Sequence, residues 1–210
     1  MSGSITLENR FGVNKMELIS LKYAIFVIVL LVLYYCFPKK YRWYVLLAGS
    51  MAYYVIICKW YVLFIIFTIC TTYGSTIWID KLLKKQNAIV KSHKEDWDRQ
   101  TRKEYKEKGR KKRVAVMLFA LLCNFGILAF LKYIPYAGEL GLLLPLGISF
   151  YTFQSMGYVM DVYREIVEPE KNFLKVALFV SFFPQIIQGP IAIYDKLAGQ
   201  LYEGHSLRLE

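Results

Sequence analysis

Six long apolar runs constrain the fold of this chain more than any other feature of its sequence. A bilayer core about 30 Å thick is crossed by about 20 helical residues, and every backbone polar group inside it needs a partner within the protein. We therefore predict an all-α polytopic membrane protein with about six transmembrane helices. The predicted spans are residues 21–37, 43–58, 60–79, 114–131, 140–160 and 173–193.

These spans divide the chain into five parts. Residues 1–20 are a polar N-terminal lead, and residues 21–79 hold the first three spans. Residues 80–113 are predicted to be a basic loop, within which Ser92–Lys112 is either an amphipathic surface helix or disordered. Residues 114–193 hold the other three spans, and residues 194–210 are predicted to be a truncated tail.

The positive charge of the chain is concentrated in this loop. Residues 81–113 contain 14 Lys and Arg against 5 Asp and Glu, which is +9 of the formal net charge of +11. An excess of Lys and Arg is typical of cytoplasmic connections, so we predict a multi-pass protein of the cell (plasma or inner) membrane with residues 81–113 cytoplasmic. The lipid bilayer is thus a predicted partner. Nucleic acid is not, because neither aromatic–basic interleaving nor zinc-ligand spacing accompanies the charge.

The fifth span carries polar residues that a simple membrane anchor would not need. On a helix that starts near Pro145, residues seven apart lie about 20° apart in projection. Gly147, Gln154 and Asp161 therefore form one stripe, with Tyr151 and Tyr158 beside it.

The sixth span combines a polar face with helix-breaking residues. Ser181, Gln185 and Gln188 share one face through their i, i+4, i+7 spacing. Pro184 and Pro190 each remove a backbone donor, so the end of this span should be kinked or broken, with Gly189 and Pro190 at a re-entrant bend.

Two interpretations of these polar residues stay open. In the first, the glutamines only hold helices together, through interhelical hydrogen bonds worth about 0.6 kcal/mol each. In the second, the two polar faces line a tunnel or funnel through the protein. Asp161 also fits a third description, a charged helix terminus beside Arg164 and Glu165.

No self-contained catalytic set and no metal site is predicted. His93 lies in the basic loop and His205 in the tail, and neither has the apolar setting that shifts the pKa of a catalytic group. Phosphate-binding loops, serine-hydrolase elbows and zinc-protease motifs are absent from the sequence.

Five short elements of the last two spans occur in a specific order: Pro145–Phe150, Thr152–Gln154, Asp161–Arg164, Phe183–Gln185 and Gly189–Pro190. Together they resemble the membrane-bound O-acyltransferases, and in particular the alginate O-acetyltransferase-like branch of that family. The resemblance covers roughly residues 140–194, and the preceding four spans with their long basic loop are similar to the N-terminal half of the family. It implies the N-terminal half of a helical funnel through the membrane.

The resemblance also implies a function. A family member transfers an acyl group, usually acetyl, from a cytoplasmic thioester donor to hydroxyls of a cell-surface or exported polysaccharide. Acetyl-CoA or an acyl carrier would be the co-substrate, without a bound cofactor, and accessory proteins of an acetylation pathway would be candidate partners. The general base of the family is a histidine in its later half. Neither His93 nor His205 matches it, so we expect that histidine beyond Glu210 and predict a fragment that is inactive by itself.

Two other functions stay open on the sequence. Broken, polar helices also suit half of a transporter or channel, although the first three spans show no inverted copy of the Pro145–Gln154 or Pro184–Pro190 pattern. A non-catalytic membrane scaffold that binds a partner through the basic loop is the other alternative.

Overall fold

A computed structural model of the protein describes residues 21–93, 96–133, 147–188 and 194–202, and every regular element in these ranges is helical. The eight α-helices of these ranges are α1 (Leu21–Cys36), α2 (Arg42–Cys58), α3 (Val62–Ser92), α4 (Arg99–Tyr133), α5 (Ile148–Tyr163), α6 (Phe173–Ser181), α7 (Phe183–Gln188) and α8 (Tyr194–Tyr202). Short 3-10 turns, Lys39–Tyr41 and Lys59–Tyr61, precede α2 and α3. The predicted all-α fold class is confirmed.

Helices α3 and α4 are long and apolar enough to cross a membrane. With 31 and 35 residues they measure about 46 Å and about 52 Å, so both exceed a hydrocarbon core of about 30 Å. Shorter apolar stretches lie at Tyr23–Cys36 and Phe173–Gln185. Large apolar side chains cover the outer surface, among them Ile56 and Leu122 at 70% and 72% exposure, as suits contact with lipid. The number of six spans stays a prediction.

The segment predicted as a basic loop, residues 80–113, is mostly helical. Helix α3 continues through Ser92 and α4 already begins at Arg99, so the two helices form a hairpin. Of the two alternatives for Ser92–Lys112, the structure shows a helix from Arg99 onward. The physical reason is that Lys, Arg, Gln and Glu are good helix formers. Their polarity keeps them out of the membrane interior but does not prevent them from forming a helix.

Helix α3 lies at the centre of the bundle, where it packs against α2, α4, α5 and α6. Hydroxyl residues follow one another along its buried face at helical spacing. Thr72 donates to the carbonyl oxygen of Thr68 at 2.6 Å, and Thr76 donates to that of Thr72 at 2.9 Å. Because these hydroxyls are satisfied within the helix, α3 can present small side chains that let its neighbours approach closely.

Helix α6 completes the core. It begins after Asn172, whose side chain accepts a hydrogen bond from the backbone N–H of Leu174 at 3.0 Å and so caps the helix. Its last six residues, Val176–Ser181, are all buried, because α6 packs against α2, α3, α5 and α8 together.

The beginning of the predicted tail is also structured. Residues 194–202 form α8, with Tyr194, Ala198 and Leu201 buried, and this helix packs against α6 and α2. An apolar residue at every third or fourth position provides the buried stripe that holds α8 on the bundle.

Candidate functional site

The last predicted span is interrupted between α6 and α7. Phe182 has φ −60° and ψ 99°, so the chain leaves the helical conformation there and α7 restarts at Phe183. Pro184 thereby occupies the first turn of α7, where a missing backbone N–H costs little. The interruption lies two residues earlier than the proline itself. Gly189 and Pro190, the predicted re-entrant bend, lie outside the described residues.

A buried glutamine bonds the end of α6 to α5. Gln154, at 3% exposure, donates from Nε2 to the carbonyl oxygen of Phe179 at 2.8 Å. Phe179 lies in the last turn of α6, where backbone carbonyls have no intrahelical donor. This bond is the interhelical contact expected from the packing interpretation of the glutamines, and it stabilises the interrupted helix.

Six buried hydroxyl groups on helices α2, α5 and α6 have no hydrogen-bond partner among the described residues. They are carried by Ser50, Tyr53 and Tyr54 on α2, Tyr151 and Ser155 on α5, and Ser181 on α6, and we call them the hydroxyl cluster. The rings of Tyr54 and Tyr151 lie 6.4 Å apart and join α2 to α5, and those of Tyr53 and Phe183 lie 5.2 Å apart and join α2 to α7.

A group of buried hydroxyls without partners, such as the hydroxyl cluster, is unusual in a folded protein. A buried polar group without a partner costs about 1–3 kcal/mol, so folded proteins contain few of them. Each hydroxyl has one donor and two acceptor sites, so together they can bind carbonyl oxygens and other hydroxyl groups. These hydroxyl groups could therefore bond to a polar partner inside an otherwise apolar bundle.

Most of the residues predicted to line a funnel are buried at this place. Tyr151, Gln154, Tyr158, Ser181 and Gln185 are all buried. The structure thus brings the polar stripe of the fifth span and that of the sixth into one interior. Gln188 is the last residue of α7, at a position where only the backbone is described.

Two other predicted residues lie at the ends of α5. Gly147 is its N-cap, with φ 70°, a left-handed conformation that only glycine adopts readily. The helix therefore begins at Ile148, which corrects the predicted start near Pro145. Asp161 lies in the last turn of α5 and is half-buried.

Tyr158 contacts the polar segment that follows α5. Its hydroxyl accepts a hydrogen bond from the backbone N–H of Glu170 at 2.8 Å, and its ring stacks on that of Tyr194 at 4.2 Å. Burial raises the pKa of Tyr194 to about 12, and burial also raises the pKa of Tyr202. At neutral pH these two phenols are therefore protonated donors and not bases.

His93 does not belong to this interior. The ring of His93 stacks on Trp97 at 4.8 Å, and its Nδ1 lies 3.0 Å from the Ser92 hydroxyl and 3.1 Å from the carbonyl oxygen of Ile89. His93 thus caps the end of α3. His205 lies outside the described residues. Within the described ranges, no three His, Cys, Asp or Glu side chains lie close enough to hold a metal ion.

Two buried polar contacts are missing from the sequence-based prediction. Asn124, on α4, donates to the hydroxyl of Thr71 on α3 at 3.0 Å. Asn124 is the single amide side chain in the apolar run of residues 114–131, so the sequence indicated a buried polar contact there as clearly as it did at Gln154. Arg113 bonds to Gln86 across the α3–α4 hairpin, and no local pattern predicts that pair because 27 residues separate them.

Known proteins match part of the chain. A protein named "Probable alginate O-acetylase AlgI" from Pseudomonas aeruginosa is 46% identical over 59 residues, which cover 28% of this chain and 11% of the relative. The protein of the same name from Azotobacter vinelandii is 36% identical over 91 residues, which cover 43% of this chain and 17% of the relative. A peptidoglycan O-acetyltransferase of Helicobacter pylori is 32% identical over an alignment of 120 residues, which covers 40% of this chain and 23% of the relative.

The matched segments thus span less than a quarter of the length of these relatives. No protein-family model matches the chain, and no solved structure matches it. The relatives are named as O-acetyltransferases, and the described helices are those of an all-α membrane protein. The predicted resemblance to the alginate O-acetyltransferase-like branch of the membrane-bound O-acyltransferases is therefore confirmed for the part of the chain that these relatives match.

Proposed function

We propose that this chain forms part of a membrane-bound O-acyltransferase that transfers an acyl group, acetyl in the simplest case, to hydroxyls of a cell-surface or exported polysaccharide. The 46% identity with the Pseudomonas aeruginosa relative carries the proposal. The relatives named for alginate and for peptidoglycan both act on polymers rich in sugar hydroxyls, which supports a polysaccharide acceptor.

In the proposed reaction, an acceptor hydroxyl oxygen attacks the carbonyl carbon of a thioester such as acetyl-CoA or an acylated carrier. The new C–O bond replaces the C–S bond, and the hydroxyl proton passes through a general base to the departing thiolate. His93 is not that base, because it caps the end of α3. The base is a histidine matching the one in the later half of the family.

We assign the hydroxyl cluster to the wall of the path along which donor and acceptor meet. Hydroxyl donors fixed in a buried site bind a thioester carbonyl and a sugar hydroxyl equally well. They also stabilise the negative charge that develops on the carbonyl oxygen during attack, because preorganised donors act most strongly where water is excluded.

We further propose that the α3–α4 hairpin lies on the cytoplasmic side of the cell membrane. Its excess of Lys and Arg supports this orientation, which brings the hairpin to the side of the thioester donor. Accessory proteins of an acetylation pathway are the proposed protein partners.

A chimera tests the proposal. Residues 140–194 of this chain replace the matching segment of the Pseudomonas aeruginosa relative, in a strain that lacks its own copy. We expect acetyl esters on the alginate, measured by proton NMR of the purified polymer. The chimera with Ser155→Ala should lose a large part of that signal, whereas Phe153→Leu, on the exposed face of α5, should keep it. A chimera that reaches the membrane in normal amount but leaves the alginate unacetylated contradicts the proposal.

A further inference from the structure

The α3–α4 hairpin contains a basic groove, separate from the hydroxyl cluster. Its volume is about 560 Å³, and Glu107 and Glu165 are its only carboxylates among the described residues. Six basic side chains line it: Arg99, Arg102, Lys103, Lys106, Arg110 and Arg113. A volume between about 300 and 1,000 Å³ is typical of small-molecule sites. The groove therefore combines the size of a small-molecule site with a strong excess of positive charge.

Arg113 is the buried basic residue of this groove, with 8% of its surface exposed. Its Nη1 donates to Oε1 of Gln86, and its Nη2 lies 3.7 Å from a carboxylate oxygen of Glu165. Its Nε has no hydrogen-bond partner within the part of the chain that the structure describes. A buried guanidinium with a spare donor is costly unless an anion or another acceptor meets it.

Gln86 fixes the geometry of this end of the groove. Its Nε2 donates to the carbonyl oxygen of Lys106 at 3.0 Å while its Oε1 accepts from Arg113. Helix α4 can approach this closely because residue 109 is glycine, where an added Cβ would lie 2.4 Å from Oε1 of Gln86. The guanidinium of Arg113 is thus held in place before any ligand arrives, which lowers the entropic cost of binding.

We infer that this groove binds a soluble ligand that carries a diphosphate group. Arginine presents a planar fork of donors that matches phosphate oxygens, and the groove contains four arginines and two lysines. The inference goes beyond the proposed acyl transfer and does not depend on it. If both hold, the diphosphate belongs to the nucleotide part of the thioester donor.

The length of the groove favours a soluble ligand over a lipid headgroup. Arg99 and Arg113 are 14 residues apart on α4, about 21 Å along the helix axis. The headgroup layer on each side of a bilayer is only about 5–8 Å thick. A lipid phosphate at the edge of the apolar run, which begins at Val114, would reach the Arg113 end alone.

The test measures ADP binding to the full 210-residue chain in phosphatidylcholine nanodiscs by isothermal titration calorimetry. We expect ADP to bind saturably and inorganic pyrophosphate to compete with it. AMP, which has a single phosphate, should bind only weakly. Lys106→Gln should weaken ADP binding about tenfold, a factor equivalent to about 1.4 kcal/mol. Lys111→Gln is the matched control, because it removes the same charge from an exposed position of α4 outside the groove.

A further variant tests the role of the guanidinium itself. Arg113→Lys keeps the charge but loses the fork, so it should also weaken ADP binding by about tenfold or more while the helix content stays unchanged. Equal ADP affinity in Lys106→Gln and Lys111→Gln would overturn the inference, as would the absence of saturable binding. Binding of phosphatidylglycerol vesicles that ADP does not displace would assign the groove to lipid and overturn it too. None of these readouts requires acetyl transfer.

Discussion

Replacing Gln154 by methionine removes the hydrogen bond at the end of α6 without leaving a large cavity. The glutamine donates to the carbonyl oxygen of Phe179 at 2.8 Å, and Phe179 is fully buried. Interhelical hydrogen bonds in membrane proteins contribute about 0.6 kcal/mol on average and about 1.7 kcal/mol at most. We expect a loss near the upper end of this range, about 1.5 kcal/mol, because no intrahelical donor is available to a carbonyl in the last turn of a helix.

Reversible unfolding in mixed detergent micelles, followed by circular dichroism, measures this loss in the free energy of unfolding. The matched control is Gln100→Met, because Gln100 lies exposed on α4 and, among the described residues, its side chain bonds only to the exposed Glu104, at 3.3 Å. An exposed change of this kind should stay within about 0.5 kcal/mol. Equal unfolding free energies for the two variants would refute the role assigned to the Gln154 hydrogen bond.

Two glycine positions yield further predictions in the same unfolding assay. Gly109→Ala should lower the free energy of unfolding by about 1 kcal/mol, because the lost hydrogen bonds of Gln86 outweigh a gain of about 1 kcal/mol in helix propensity. Gly126→Ala, on the same helix with open space around it, should not destabilise, and equal losses would contradict the close approach at residue 109. Gly147→Ala should cost about 1–2 kcal/mol because of its φ of 70°. Gly157→Ala, inside α5 with open space around it, should be neutral or stabilising, and a neutral Gly147→Ala would contradict the left-handed N-cap.

Single residues were enough to predict where the interior is polar. An amide in an apolar run must be buried against a partner or line a polar space, and Gln154 is buried against the Phe179 carbonyl. A proline removes a donor wherever it stands, so Pro184 predicted an interruption. The position of the interruption, at Phe182, was not predictable from the sequence. A proline is compatible both with a kink in a continuous helix and with the first turn of a new helix.

The hairpin shows what hydropathy does not reveal. Lysine-rich sequence indicates a segment outside the membrane, and residues 80–113 were therefore predicted to form a loop. Lysine is also a strong helix former, and α3 and α4 extend through most of this segment. Gln86 and Arg113 become neighbours only when those helices pair. The basic groove depends on this long-range contact, and no motif in the sequence indicates it.

The packing of α6 against α2 also determines the order in which the protein assembles during synthesis. Helix α6 begins about 115 residues after α2 ends, and chains elongate at about 5–20 residues per second. For about 6–23 s the inner face of α2, with Ser50 and Tyr54, therefore exists before α6 has been synthesised to cover it. A chain that stalls within this interval would leave those hydroxyls uncovered by α6.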